Sequence, residues 1–240
     1  MITTMRVCQR THQGLVRSSN QDTLLADQGI YGVADGMGGH NGGETASRVT
    51  VQVVKNALQG KQPDERALQT AVDAANRRVF DMARHDSSLS GMGTTLTFLC
   101  EAKNEILLCH VGDSRAYLLR DGQLTQITDD HSLVAELLQK NMISPEAART
   151  HPYRNVITRA VGVDPIVDAD ILHHDVQPND LWLICSDGLT NMVSDDIIRT
   201  VLTESEEEEA ADKLLALALE NGGTDNITFV LCKVTEVAEA

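Results

Sequence analysis

Residues 94–128 read TTLTFLCEAKNEILLCHVGDSRAYLLRDGQLTQIT. Apolar runs alternate here with short polar turns, because Lys103-Asn104 separates the first two runs and Asp121-Gly122 separates the last two. Asn, Asp and Gly favour the tight turns that close hairpins, so this stretch predicts consecutive antiparallel strands. Further strands are predicted near residues 5–11, 22–26, 30–34, 168–173, 181–185 and 226–233. This is too many strands for a single sheet that has helices on one face, so the pattern favours two sheets.

Apolar residues at helical spacing occur on both sides of this strand-rich region. One pair of helices is predicted over residues 46–58 and 68–80, and a second pair over 197–202 and 211–219. Each helix would present a single apolar stripe to a neighbouring layer. Helix pairs around antiparallel strands predict an α+β fold in which two sheets form a sandwich with the helices outside.

The stretch from about 129 to 165 breaks this pattern. It contains one short predicted helix near 133–138, followed by Ser144-Pro145 and a polar loop. We interpret it as a flap-like insertion. No repeat, linker or low-complexity tract divides the chain, so residues 1–240 are predicted to form a single domain.

The composition excludes several classes of function. The chain has 20 Lys and Arg against 35 Asp and Glu, a net charge of −15, with one Trp, three Tyr and three Phe. Such a chain repels phosphate backbones and has few rings to stack on bases, so no nucleic-acid partner is expected. No apolar run approaches the ~20 residues needed to cross a bilayer, and no secretory signal is visible. A cytoplasmic protein without a membrane span is the expectation.

The five cysteines are far apart and mostly lie within apolar runs. Reduced core thiols have this pattern, so neither a disulfide nor a zinc site is expected. Cys109 and Arg115 match the Cys-x5-Arg spacing of cysteine-dependent phosphatases, but Asp113 would place a negative charge inside that phosphate cradle. We therefore interpret Cys109 as an apolar strand residue.

Four acidic residues stand where an apolar strand meets a turn: Asp35, Asp113, Asp187 and Asp225. One such residue alone is typical of an ordinary turn. Four carboxylates gathered at strand ends would repel one another unless they shared a cation. Hard oxygen ligands select Mg²⁺ or Mn²⁺ over zinc, so the pattern predicts a magnesium or manganese site.

Two neighbouring features extend this prediction. Arg17 precedes Asp22 by five residues, so its guanidinium could face the carboxylates and hold two phosphate oxygens. Gly36 and the glycines that follow it let the backbone approach an ion or substrate closely, and the helix predicted to begin near 41–44 would point its amide end at the same place.

Six motifs in order resemble the metal-dependent protein phosphatase family called PP2C or PPM. They are RSSNQD, VADGMGGHNGGE, GMGTTL, VGDSRAY, ICSDGLTN and GTDNITFV. Together they span nearly the whole chain, and the compact length and the DGMGGH form resemble the bacterial stand-alone type. The resemblance implies a four-layer α-β-β-α sandwich of two antiparallel sheets flanked by helix pairs, with the metals at one end.

The resemblance also implies roles for individual residues. Asp35 would bridge two metal ions, and the Gly36 carbonyl would bind one of them. Asp187 and Asp225 would complete the other site, and Asp22 would lie in the outer shell.

Other positions have roles that the resemblance defines less closely. Arg17 would hold the phosphate, and Asp113 would help to bind a third, weaker metal ion. Met37 stands where many eukaryotic members have a histidine proposed as the general acid, which makes His40 the nearest substitute. Gln21 stands where some relatives have Glu.

The function implied is hydrolysis of phosphoserine and phosphothreonine in proteins by water that two Mn²⁺ or Mg²⁺ ions activate. The implied partners are phosphorylated proteins and a bacterial Ser/Thr kinase whose action the enzyme opposes, with a monomer as the expected state. Two alternatives stay open at this point. One is a catalytically weak, metal-bound module that binds phosphoproteins, and the other is a small-molecule phosphatase.

Overall fold

The computed structural model describes residues 3–27, 29–39, 42–102, 105–144, 147–148 and 151–237. The strands are β1 (Thr3–His12), β2 (Asp22–Asp27), β3 (Ile30–Met37), β4 (Gly93–Thr94), β5 (Leu96–Glu101), β6 (Glu105–Val111), β7 (Arg115–Arg120), β8 (Gln123–Gln126), β9 (Asp170–Asp175), β10 (Leu181–Cys185) and β11 (Ile227–Val237). The helices are α1 (Gly42–Leu58), α2 (Glu65–His85), α3 (Leu133–Gln139), α4 (Asp187–Thr190), α5 (Asp195–Glu204) and α6 (Glu207–Glu220), with a 3-10 turn at Ser87–Leu89.

The strands form two antiparallel sheets. The first has the order β1-β11-β10-β7-β8, and the second has the order β2-β3-β5-β6-β9 with β4 paired to β3. The hairpins predicted within 94–128 are present as β5-β6 and β7-β8. However, β6 and β7 lie in different sheets, so the turn at Gly112–Ser114 carries the chain from one layer to the other.

A core of apolar side chains fills the space between the sheets. Its buried members include Val33, Leu99 and Leu108 from one sheet and Trp182, Ile184 and Val230 from the other. Burial of each large side chain contributes about 1.5–3 kcal/mol, so this layer holds the sheets face to face.

A pair of helices covers the outer face of each sheet. Apolar residues of α1 and α2, such as Val54 and Val72, pack on the sheet that contains β3. Residues of α5 and α6, such as Leu202 and Leu214, pack on the sheet that contains β11. The layer order is therefore α-β-β-α, which confirms the fold class.

At the end of the sandwich where the acidic residues lie, two short elements were not predicted, namely β4 and α4. Both are too short for a periodic pattern to reveal them, and both lie beside the acidic residues at one end of the sandwich. All five cysteines are buried and free, as expected. Among the described residues, no helix combines the length and apolar character required to cross a membrane.

The segment between β8 and β9 contains α3. An isolated bridge from Ser132 to Ile157 joins two parts of this segment, and a second bridge from Val161 to Thr94 joins it to β4. His131 is buried, accepts a hydrogen bond on Nδ1 from Gly112 N at 3.0 Å, and lies 4.6 Å from the ring of His110. His131 therefore fixes the base of this segment to the turn that joins β6 and β7.

Candidate metal centre

Two of the predicted carboxylates are neighbours because of strand register. Asp22, the first residue of β2, stands opposite Asp35 in β3. Opposite residues in an antiparallel pair project from the same face with Cβ atoms about 4.5–5.5 Å apart. The Gly36 amide donates to Gln21 O at 3.2 Å, which continues the strand pairing past these two residues.

The other sheet contributes Asp187 and Asp225 at the same end of the sandwich. Asp187 begins α4 two residues after the end of β10, and Asp225 lies two residues before β11, which pairs with β10. The Ser186 hydroxyl donates to Asp22 Oδ2 at 2.8 Å. This bond ties the end of β10 to the start of β2 and brings the acids of both sheets to one place.

The carboxylates raise one another's pKa values. Burial and then the charge of Asp22 raise the pKa of Asp35 well above its usual range, with further contributions from Asp187, Asp113 and Asp225. Burial also raises the pKa of Asp22 and that of Asp187 to about 6 each. The site thus holds more negative charge than nearby positive groups of the protein neutralise. A bound cation would favour the ionised carboxylates and so lower their pKa values.

One carboxylate oxygen supports this interpretation directly. Asp22 Oδ1 is buried and has no hydrogen-bond partner among the described residues. A buried carboxylate oxygen without a partner is costly, and a divalent ion or its coordinated water would satisfy it. The donors are all oxygens, which suits Mg²⁺ or Mn²⁺.

The carboxylates are neighbours, but they do not form a closed cage. Within the described ranges, no three His, Cys, Asp or Glu side chains are grouped as ligands of one ion. Arg17 contributes to this arrangement, because its Nη2 donates to Asp225 Oδ2 at 2.6 Å and so occupies one of the carboxylate oxygens.

Position 36, next to Asp35 of the cluster, must be glycine for a steric reason. A Cβ at this position would lie 2.1 Å from Gly43 O and 2.6 Å from Gln21 O. Only glycine allows the end of β3 to lie against both the residue that precedes β2 and the first turn of α1. This contact puts the Gly36 backbone next to Asp35.

Asn226 is a site residue that the sequence reasoning missed. Its Oδ1 accepts from Gln21 N at 2.8 Å, and its Nδ2 donates to Gln13 O at 2.8 Å and to Ser19 O at 2.9 Å. The side chain is 5% exposed. Asn226 therefore holds the Arg17 loop beside Asp225. The signal was present, since this residue stands directly after the acid in GTDNITFV.

We expect Asn226→Ala to destabilise the protein by about 2–4 kcal/mol, because three partners would each lose a half-buried hydrogen bond. The loosened loop should also weaken the phosphate contact that the sequence resemblance implies for Arg17. Thermal unfolding and the Michaelis constant measure the two effects. Asn56→Ala, which removes an exposed bond from Gln52, is the matched control and should change neither. Equal behaviour of the two variants would contradict this role for Asn226.

Asp113 lies in the turn between β6 and β7, near the other acids. Burial, followed by the charges of Asp187 and Asp130, raises its pKa to about 8. Asp130 is itself held by Arg115, whose Nε and Nη2 donate to it at 2.8 and 2.7 Å. Asp113 is thus a member of the acidic cluster on the side closest to Asp187.

A pair of hydroxyl groups links this turn to Asp35. Thr95 Oγ1 accepts from Asp35 N at 2.9 Å and lies 2.8 Å from Ser114 Oγ. Thr94 Oγ1 donates to Asp35 O at 2.8 Å. These threonines fix the Asp35 backbone, and they lie in the GMGTTL motif quoted above without a role. His40, the proposed substitute for the general acid, lies outside the described residues.

Comparison with known proteins identifies the family. The profile described as Protein phosphatase 2C matches residues 10–220. The chain belongs to the protein phosphatase 2C family. The serine/threonine protein phosphatase PstP of Mycobacterium tuberculosis is 40% identical over 235 residues, which cover 97% of this chain but 45% of PstP. The chain thus spans about half the length of that relative.

Two further matches cover their counterparts more fully. The serine/threonine phosphatase stp of Listeria welshimeri is 39% identical, with 92% of this chain and 93% of that protein covered. The crystal structure of the PstP catalytic domain in complex with two manganese ions aligns with a TM-score of 0.90 and 38% identity, covering 98% of this chain and 100% of that one. A relative with the same fold, the PstP catalytic domain, therefore binds two manganese ions.

Proposed function

We propose that this protein hydrolyses phosphoserine and phosphothreonine in proteins with the help of two Mn²⁺ or Mg²⁺ ions. The observation that carries the proposal is the meeting of carboxylates from both sheets at one end of the sandwich, with Arg17 beside them. The similarity to serine/threonine phosphatases over most of the chain supports it. A partner that supplies substrate would be a Ser/Thr kinase.

We assign the ion ligands as follows. Asp35 would contact both ions, Gly36 O one of them, and Asp187 and Asp225 the other, with Asp22 in the outer shell. Asp113 would help to hold a third ion. When bound, such ions activate a water molecule and neutralise phosphoryl oxygens.

The protein's own residues would position the substrate. Arg17 presents a planar guanidinium at the exposed rim of the cluster, where a phosphate could replace or share its contact with Asp225. The loop that holds Arg17 is fastened by Asn226, so little ordering would be needed on binding. His40 is the proposed group for protonating the leaving oxygen.

We further propose that the chain works as one catalytic domain, with residues 129–165 as a flap beside the site. The bridge from Val161 to Thr94 would hold the flap against the sandwich, and the bridge from Ser132 to Ile157 would close the flap on itself, while its outer part meets the substrate. A cytoplasmic monomer is the proposed state.

Phosphate release from a phosphothreonine peptide tests the proposed function. Release should require Mn²⁺ or Mg²⁺ and stop on addition of EDTA. A protein that binds the peptide without releasing phosphate would instead be a binding module. A protein that cleaves metabolite esters far better than phosphopeptides would be a small-molecule phosphatase.

Arg17→Ala should raise the Michaelis constant for the phosphopeptide about 10- to 100-fold, because a charge-assisted contact to the phosphate is lost. Turnover at saturation should fall less. Arg84→Ala, on the exposed face of α2, is the matched control and should leave both constants unchanged. A Michaelis constant for Arg17→Ala equal to that of the wild type would remove Arg17 from the site.

A further inference from the structure

Two apolar residues beside the proposed site are exposed to solvent. Leu15 is 64% exposed and Val16 is 69% exposed, and they directly precede Arg17. Single exposed apolar residues are common on protein surfaces. Here two consecutive exposed apolar residues lie directly before Arg17, and we call this pair the Leu15–Val16 rim.

The backbone of this rim is held firmly. Leu15 N donates to Gly223 O at 2.7 Å, and Gln13 Nε2 donates to Arg17 O at 2.6 Å. A Cβ at Gly14 would lie 2.1 Å from Asp225 O, and Gly14 has a φ of +80°, so glycine is required for the loop to lie this close. The rim is thus kept exposed by a preorganised loop, and a ligand could bind it at low entropic cost.

The position of the rim relates it to the reaction. Arg17, the next residue, contacts Asp225 of the proposed metal centre. The Leu15 side chain lies against Gly223, two residues before that aspartate, because a Cβ on Gly223 would be 3.1 Å from Leu15 Cγ. A phosphoresidue bound by Arg17 would therefore place its chain neighbours over the rim.

We propose that the Leu15–Val16 rim binds an apolar side chain adjacent to the phosphoresidue of the protein substrate. The inference rests on the proposed phosphatase function and assigns part of its substrate selectivity. An apolar contact suits this loop, because both rim side chains are uncharged and apolar. When a rim side chain and an apolar side chain of the substrate come into contact, both are removed from water, and this burial would favour substrates with apolar flanking residues.

The test uses two phosphothreonine peptides that differ only in the residues flanking the phosphothreonine, which are Leu in one and Ser in the other. The wild type should show a kcat/KM about tenfold higher for the Leu-flanked peptide, which corresponds to burial of a small apolar area. The variant Leu15→Ser/Val16→Ser should lose this preference, mainly through a higher Michaelis constant. It should hydrolyse p-nitrophenyl phosphate at the wild-type rate, since that substrate has no flanking residues.

Ile166→Ser is the matched control, because Ile166 is 79% exposed and lies on the segment that hydrogen-bonds to α2 through Asn76. It should keep the full preference. Two results would overturn the proposed role of the rim: equal kcat/KM values of the wild type for the two peptides, or an unchanged preference in the double variant. In either case, hydrolysis of p-nitrophenyl phosphate would still support the phosphatase function. Parallel loss of both activities in the double variant would also overturn the role of the rim. A wild type that hydrolyses none of the three substrates would refute the phosphatase and the rim together.

Discussion

Asp35→Asn is expected to lower metal-dependent phosphopeptide hydrolysis by about 10³-fold or more, because the carboxylate assigned to both ions would become a neutral amide. The same substitution should stabilise the metal-free protein by ~1–3 kcal/mol at pH 8. The reason is that Asp35 is crowded by four other aspartates, and the amide removes their repulsion without a change of size. Opposite effects on activity and stability distinguish a metal ligand from a residue needed only for folding.

Phosphate release and thermal unfolding of the metal-free protein measure the two effects. Asp121→Asn is the matched control. Asp121 occupies the exposed turn between β7 and β8 with a φ of +52°, a conformation that Asn also tolerates. It should leave activity and stability unchanged. An Asp35→Asn variant that retains wild-type turnover, or that is less stable than the wild type without metal, would refute the assigned role.

Removal of the metal should make the stability of the protein depend strongly on pH. The folded-state pKa is about 6 for Asp22 and for Asp187 and about 8 for Asp113, whereas free aspartates titrate near 3.9. At a pH between the unfolded-state pKa and the folded-state pKa, each of these aspartates is protonated in the folded state and ionised in the unfolded state. The free energy of unfolding should therefore fall as the pH rises from about 4 to 8. Below about pH 4 these aspartates are protonated in both the folded and the unfolded state, so they should not make the free energy of unfolding depend on pH.

Added Mn²⁺ should offset that loss, because the ions stabilise the ionised carboxylates. At pH 8 and about 100 times the dissociation constant, the expected gain for each ion bound is ~2.7 kcal/mol, or roughly 5–10 °C in the unfolding temperature. At pH 5.5 the gain should be smaller, since protons compete with the ion. Calorimetry with EDTA or Mn²⁺ at both pH values measures this. Equal Mn²⁺-induced shifts at the two pH values would contradict the proposed carboxylate site.

The fold could be predicted from sequence wherever a pattern is long enough to be periodic. The hairpins of 94–128 and both helix pairs follow from the alternation and spacing of apolar residues. The assignment of β6 and β7 to different sheets could not be predicted, because a turn with Gly112 is compatible with either a hairpin or a crossing between layers. Strand ends were also imprecise, since pairing extends β11 to Val237 through a partner, β1, that is distant in sequence.

The candidate site shows the same division. Acids at strand ends were recognised one at a time, and their joint position follows from registers such as Asp22 opposite Asp35. The groups that hold the acids were missed, because Ser186, Thr95 and Asn226 act through hydrogen bonds to residues that are remote in the chain. The contact of Arg17 with Asp225 likewise depends on three-dimensional placement that spacing alone does not define.

The most direct test of the proposed metal centre is a crystal of this protein soaked in Mn²⁺, with anomalous scattering used to locate the ions. The account predicts two strong peaks about 3.5–4 Å apart, with Asp35 in contact with both, and Asp187 and Asp225 in contact with one. A map with no peak among these three side chains, while Arg17 stays bound to Asp225, would contradict it.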